Sequence, residues 1–189
     1  MIVGILGLQG AVREHATSLE RLDVQVRIVK QLQDLESIDG LVLPGGESTA
    51  IGLLAGDRFL SELRAMAARG VPMFGTCAGM ILLSRERPDL DEPRIGAIDI
   101  SVERNASGRQ VDSFETVLAV DEIGSDVPAV FIRAPYITDM GPSVQAMSRF
   151  DEYVVMARQE NVLVSSFHPE LTDDLRVHKY FIEMVGHRE

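Results

Sequence analysis

The chain has 189 residues, 46% hydrophobic and 25% charged, the balance of a globular protein that builds a core without staples. A formal net charge of −11 excludes long-range attraction to nucleic acid or an anionic membrane, although all but two of the 18 basic residues are arginine, a type suited to gripping carboxylates. The single cysteine, Cys77, excludes an intramolecular disulfide and a four-cysteine zinc site, and predicts a reducing compartment.

Residues 1–8 are apolar, carry no positively charged leader and meet Gln9 at once. They predict a buried strand over 2–8 and not a signal peptide. No apolar run approaches the roughly 20 residues needed to cross a bilayer, so the expected location is cytoplasmic. A helix is predicted over 12–22, with Ala16, Leu19 and Leu22 on one side, then a strand over 24–29. Gly40–Leu43 reads as a short buried strand stopped by Pro44-Gly45-Gly46. A helix over 57–69 follows, capped by Asp57, with Leu60, Leu63 and Ala67 three or four apart. Residues 72–76 form an apolar strand, and a helix over 78–84 starts immediately after Cys77.

Beyond these, strands are predicted over 98–103, 116–120, 130–133, 153–157 and 162–167, with polar, proline-containing loops at 85–95 and 121–128. A last helix is expected to take Thr172 as cap, with Asp173 and Asp174 in its first turn and Val177, Phe181, Met184 and Val185 on one face. Strands alternating with helices imply parallel pairing and right-handed crossovers. The expected fold is therefore α/β, a mixed but mostly parallel sheet with helices on both faces, in three layers. No repeat, low-complexity tract or long linker interrupts residues 1–189, which read as one domain.

Three stretches carry chemistry. Gly75-Thr76-Cys77-Ala78-Gly79 lies between an apolar strand and a helix, the cysteine version of a strand-to-helix nucleophile elbow. The positive end of the helix dipole favours thiolate there, and the Ala78 N–H is aimed where an oxyanion would form. A buried structural cysteine is the alternative. His168-Pro169-Glu170 follows an apolar strand; proline keeps the preceding residue extended, which turns an imidazole and a carboxylate to one side. Taken alone, a histidine at a strand end is as well read as a core or surface residue. His15, His178 and His187 read as solvated. Pro44-Gly45-Gly46-Glu47-Ser48-Thr49 ends a buried strand on the edge where open α/β sheets bind ligands, with Ser48 or Thr49 available as helix cap. A plain turn is its alternative, and a phosphate loop lacks its Gly-Lys-Ser/Thr ending. Together the three can share one sheet edge, with the acid after the histidine instead of before it as in esterases.

With these residues in this order, the chain resembles the class I, triad-type glutamine amidotransferases, and among them the glutaminase subunits of bacterial pyridoxal 5′-phosphate synthases. Gly7-Leu8-Gln9-Gly10, Gly75 to Met80, Glu103-Arg104-Asn105, Gly108 to Glu115, Phe131 to Pro135 and Ser166 to Thr172 carry that resemblance over nearly the whole chain. It implies a flavodoxin-like fold and a Cys77–His168–Glu170 triad that hydrolyses L-glutamine through a cysteinyl thioester. Oxyanion donors on Gly46 and Ala78, and substrate contacts from Glu47, Ser48, Arg104, Ile132 and Arg133, follow from it. Arg109 reads instead as a surface ion-pairing residue. The resemblance further implies no cofactor or metal, and a (β/α)8-barrel synthase subunit as partner in a hetero-oligomeric complex that receives the ammonia. A glutaminase of another amidotransferase, such as imidazole glycerol phosphate synthase, a cysteine hydrolase of another amide, and a non-catalytic module on the same fold are the competing readings.

Overall fold

A computed structural model describes residues 1–85, 93–104 and 113–187. Its first half alternates β1 (Ile2–Leu6), α1 (Val12–Glu20), β2 (Gln25–Val29), β3 (Gly40–Leu43), α2 (Ser48–Ala68), β4 (Met73–Thr76) and α3 (Ala78–Leu83). The second half holds β5 (Ile100–Glu103), β6 (Ser113–Val120), β7 (Gly124–Ile132), β8 (Tyr136–Met140), β9 (Gln145–Phe150), β10 (Tyr153–Gln159), β11 (Val162–Ser165) and α4 (Arg176–Gly186). Short 3-10 turns cover Leu32–Leu35 and Pro169–Leu171.

One large sheet runs β2-β1-β3-β4-β11-β10-β8-β5, with β9 paired to β10. The five strands from β2 to β11 are parallel, and the remainder is antiparallel. β6 and β7 form a separate hairpin. This is the mixed α/β sheet expected from the alternation of elements.

The core lies on both faces of the sheet, because buried strands send successive side chains to opposite sides. On one face α2 and α3 pack Ile51, Phe59, Leu63 and Met80 against Leu41, Leu43 and Met73. On the other, Leu19 of α1, Val177 and Phe181 of α4, and Leu118, Val127 and Phe131 of the hairpin cover Val3, Ile5, Val42 and Phe74. Burying each such Leu or Phe contributes about 1.5–3 kcal/mol. No helix among the described residues is long and apolar enough to cross a membrane.

Several local expectations need correction. The helix expected over 57–69 begins at Ser48 and bends at Gly56, whose φ of 70° and ψ of 167° interrupt it. Its cap is Glu47 instead of Ser48 or Thr49: the carboxylate accepts the Thr49 and Ala50 N–H groups at 3.2 and 2.8 Å. α4 starts later than expected, without a side-chain cap, and Thr172 closes the preceding 3-10 turn. Residues 124–128 belong to β7 and not to a loop. Pro128 is tolerated because β7 has a neighbour on one side only, and that neighbour pairs it with Val117.

Candidate active site

β4 is wholly buried, and it delivers Cys77 at its C-terminal end. The Cys77 N–H donates to the Ser165 carbonyl at 2.8 Å, while the residue itself takes φ 49° and ψ −101°. This left-handed conformation is costly for a residue with a Cβ, and such strain persists only where the surroundings impose it. Imposition comes from α3, which starts at Ala78 so close beneath β3 that a Cβ on Gly79 would collide with the Leu43 carbonyl. Cys77 is only 9% exposed, yet it is not sealed into the core. Its side chain lies beside His168, both bordering the place a Cβ on Gly45 would take.

His168 sits three residues beyond β11, the strand next to β4. Its N–H donates to the Val130 carbonyl of β7 at 2.8 Å, which fixes the backbone. The chain then enters the 3-10 turn opened by Pro169, so the imidazole and carboxylate meet by this turn instead of by extended i, i+2 geometry. Glu170 Oε1 lies 2.7 Å from His168 Nδ1, leaving Nε2 for the Cys77 side. Burial opposes charge on His168, but the Cys77 and Glu170 contacts outweigh it and push the imidazole up to about 10. Burial likewise opposes ionisation of Glu170, while the imidazoles of His15 and His168 hold its carboxyl below the usual carboxylate range. Sulfur, imidazole and carboxylate thus lie together, the last two hydrogen-bonded.

The loop after β3 borders this line directly. Gly45 lies so close to the imidazole that a Cβ there would sit 3.0 Å from His168 Nδ1. Its N–H donates to Thr76 Oγ1 at 3.0 Å, and its carbonyl accepts from the Ala11 N–H at 3.0 Å. The peptide joining Gly45 to Gly46 is therefore held at both ends of its first residue, and Ala78 begins α3 beside Cys77. Arg104, just after β5, reaches across to this loop. It donates to Ser48 Oγ, bonds Thr49 Oγ1 at 3.1 Å and pairs with Glu47 at 3.3 Å. Ile132 and Arg133 close β7 two and three residues past Val130, both exposed, with Arg133 at φ 42°. Asn105 and Arg109, with the rest of 105–112, lie outside the described residues. Among the described residues no group of three or more His, Cys, Asp or Glu side chains is arranged to hold a metal ion.

The model of the SNO glutamine amidotransferase family matches residues 5–187. The chain belongs to this family. It is 56% identical over 187 residues to the pyridoxal 5′-phosphate synthase subunit PdxT of Carboxydothermus hydrogenoformans, covering 98% of each chain. It is 52% identical to the PdxT subunit of Bacillus cereus (strain G9842), over 97% of this chain and 94% of that one. A crystal structure described as a glutamine amidotransferase superposes with TM-score 0.92 at 45% identity, over 98% of this chain and 100% of the other. PurLQS from Thermotoga maritima shares the fold at TM-score 0.73 and 16% identity, over 96% of this chain and 97% of that one.

In this SNO-family amidotransferase the histidines expected to be solvated divide. His187 is exposed, but His15 and His178 are completely buried. His15 Nδ1 faces His178 Nε2 at 3.0 Å, and its Nε2 lies 3.1 Å from Thr76 Oγ1 and 3.5 Å from Glu170 Oε1. The helical stripes contained the signal. His15 shares the i, i+4, i+7 positions with Leu19 and Leu22, and His178 shares i, i+3, i+7 with Phe181 and Val185. Polarity alone is a poor guide on such a face. Gln9, which ends the apolar run and belongs to the Gly7–Gly10 motif, accepts the Glu47 N–H through Oε1 at 2.8 Å.

Proposed function

We infer that this chain is the glutaminase subunit of a pyridoxal 5′-phosphate synthase, a single domain over residues 1–189 that hydrolyses L-glutamine and passes ammonia to a (β/α)8-barrel synthase subunit. Near-full-length identity to two PdxT subunits supports this reading. The observation that carries the chemistry is the continuous contact from Cys77 through His168 to Glu170 at the ends of adjacent parallel strands. A reducing cytoplasm is the compartment in which its one free cysteine stays usable.

Cys77, as thiolate, attacks the side-chain amide carbon of glutamine, and the carbonyl electron pair moves onto oxygen. Backbone N–H groups of Gly46 and Ala78 receive that oxyanion. As the tetrahedral intermediate collapses, the C–N bond breaks and His168 gives its Nε2 proton to the departing ammonia. His168, now neutral, takes a proton from water as the water attacks the thioester. Glutamate leaves, and the thiolate–imidazolium pair returns. Glu170 holds the Nδ1–H tautomer and stabilises the charged imidazole. Arg104, already placed against Glu47 and Ser48, is positioned for the substrate α-carboxylate, while Glu47 suits its ammonium. Ile132 and Arg133, exposed at the end of β7, are the further substrate contacts of this reading.

Glutamate release, measured with and without the purified synthase subunit, tests the reading. Turnover is expected to depend on the partner and to vanish in Cys77→Ala. Unchanged turnover in that variant would overturn the nucleophile assignment.

A further inference from the structure

Two buried histidines lie behind the triad and take no part in the chemistry just described. α1 brings His15 Nε2 within 3.5 Å of Glu170 Oε1, the oxygen that also meets His168 Nδ1, and α4 brings His178 behind His15. We propose that His15 is a positioning residue of this site: its Nε2–H, backed by His178, fixes the Glu170 carboxylate that orients His168 and joins that carboxylate, through Thr76, to the N–H of Gly45. This inference rests on the reading of Cys77, His168 and Glu170 as the triad.

The donor inventory decides which nitrogens carry protons. A carboxylate only accepts, so Glu170 Oε1, already taking His168 Nδ1–H, is attracted by an N–H on the ring nitrogen 3.5 Å away and repelled by a bare one. His15 therefore presents Nε2–H to Glu170 and Thr76, and its Nδ1 accepts. His178 then donates from Nε2 to His15 Nδ1. That leaves His178 Nδ1 as a bare acceptor, and it is the atom of that ring with no partner. The opposite set of tautomers would bury an unbonded N–H at His178 and point a lone pair of His15 at the carboxylate. Both rings are fully buried and neutral: burial pushes each imidazole down, His178 to about 3.

Thr76 extends the line to the loop. Its hydroxyl oxygen lies 3.1 Å from His15 Nε2 and accepts the Gly45 N–H at 3.0 Å, so one buried ring touches the supports of both the acid and the glycine loop. The groups facing His15 are Glu170 from the 3-10 turn, His178 from α4, and Thr76 and Phe74 from β4, with His168 beyond Glu170 and Glu14 on its own helix.

Two variants of similar size separate positioning from packing. In His15→Gln the amide nitrogen falls where Nε2 stood, within reach of Glu170. In His15→Asn it falls near Nδ1, within reach of His178 only. In the complex with the synthase subunit, His15→Asn is expected to lower kcat about 10–100-fold, with glutamine KM within about twofold, because a displaced acid disturbs the transition state and not substrate binding. Its alkaline pH–rate limb should move upward, since a carboxylate deprived of one donor holds the His168 proton more tightly. His15→Gln should stay within about threefold of the parent kcat. Equal kcat in the two variants, or parent kcat and an unmoved limb in His15→Asn, would overturn the proposal. The unmodified protein offers a readout that does not depend on how the variants fold. Nitrogen-15 imidazole spectra should show neutral Nε2–H tautomers for His15 and His178 at pH 6, and an Nδ1–H tautomer at His15 would overturn the proposal equally. Turnover by the unmodified complex and its loss in Cys77→Ala are the controls. Their failure would sink the triad itself, whereas failure of the His15 tests alone would sink only this inference.

Discussion

Five parallel strands, β2-β1-β3-β4-β11, end in the turns that hold Gly45, Cys77 and His168, whereas β5, β8, β9, β10 and the β6–β7 hairpin lend the site only Arg104, Ile132, Arg133 and the Val130 carbonyl. Parallel strands all finish at one edge, so residues far apart in the chain meet there as a matter of topology. Antiparallel strands finish alternately at opposite edges, and what they contribute are single contacts from a flank. The comparison teaches that in this molecule rate is concentrated in the parallel half. In the function proposed above, the antiparallel half adds Arg104, Ile132 and Arg133 to substrate contacts that Glu47 and Ser48 supply from the loop after β3.

The sharpest way to break that division is at the nucleophile. Cys77→Ala is expected to lower glutamine turnover by on the order of 10⁴-fold or more while a thermal melt stays near that of the parent, because it removes the strained residue's sulfur and little packing. Next comes Glu170→Gln, which keeps the shape but not the charge and should reduce kcat roughly 10³–10⁴-fold in the same glutamate-release assay. The hairpin should answer differently. Phe131 is buried among Phe114, Phe150 and Phe167, with ring centroids 4.7, 5.7 and 5.8 Å away, so Phe131→Ala should cost about 3–5 kcal/mol in urea unfolding. Arg104→Ala should raise glutamine KM roughly tenfold or more with kcat little altered, the signature of a lost charged hydrogen bond to substrate. Large loss of kcat there would move rate into the antiparallel half.

The last test is stability against pH, where the two histidine types act with opposite sign. An unfolded histidine titrates near 6.5. Burial holds folded His178 down to about 3, so between those values the unfolded chain binds a proton that the folded chain refuses. Stability should therefore fall on acidification across that range, by roughly 1.4 kcal/mol per pH unit. His168, pushed up to about 10, contributes fully below 6.5 and loses its contribution as pH rises through 10. Urea melts from pH 4 to 9 on the parent and on His178→Gln check this, and an acid arm of equal slope in both would contradict a neutral, buried His178.

Legibility follows the same boundary. In the parallel half, apolar runs such as Gly40–Leu43 were readable because both faces of β1, β3, β4 and β11 are buried. β8 and β9 were missed: their mixed exposure gives neither a continuous apolar run nor a clean alternation, and Pro128 made part of β7 look like a loop. At the proposed site, Cys77, His168 and Glu170 were nominated by residue types that chemistry demands at strand ends, and the structure brings them together. His15 and His178 stand on the apolar stripes of α1 and α4, which marked them for burial, but their contact with each other and with Thr76 joins three distant stretches of chain.

The pairing of β4 with β11 sets Thr76 opposite Ser165, one residue before Cys77 and three before His168. Both neighbours of Ser165 in this ladder are counted from that pair, so adding or deleting one residue within either strand would invert its side chains and carry the sulfur or the ring to the opposite face of the sheet. Changes of length at the far edge, in the connections before β4 and between β10 and β11, leave that pairing intact. The spacing between nucleophile and base is counted in whole residues along two hydrogen-bonded strands, and drift in the lineage can alter the loops below them without altering that count.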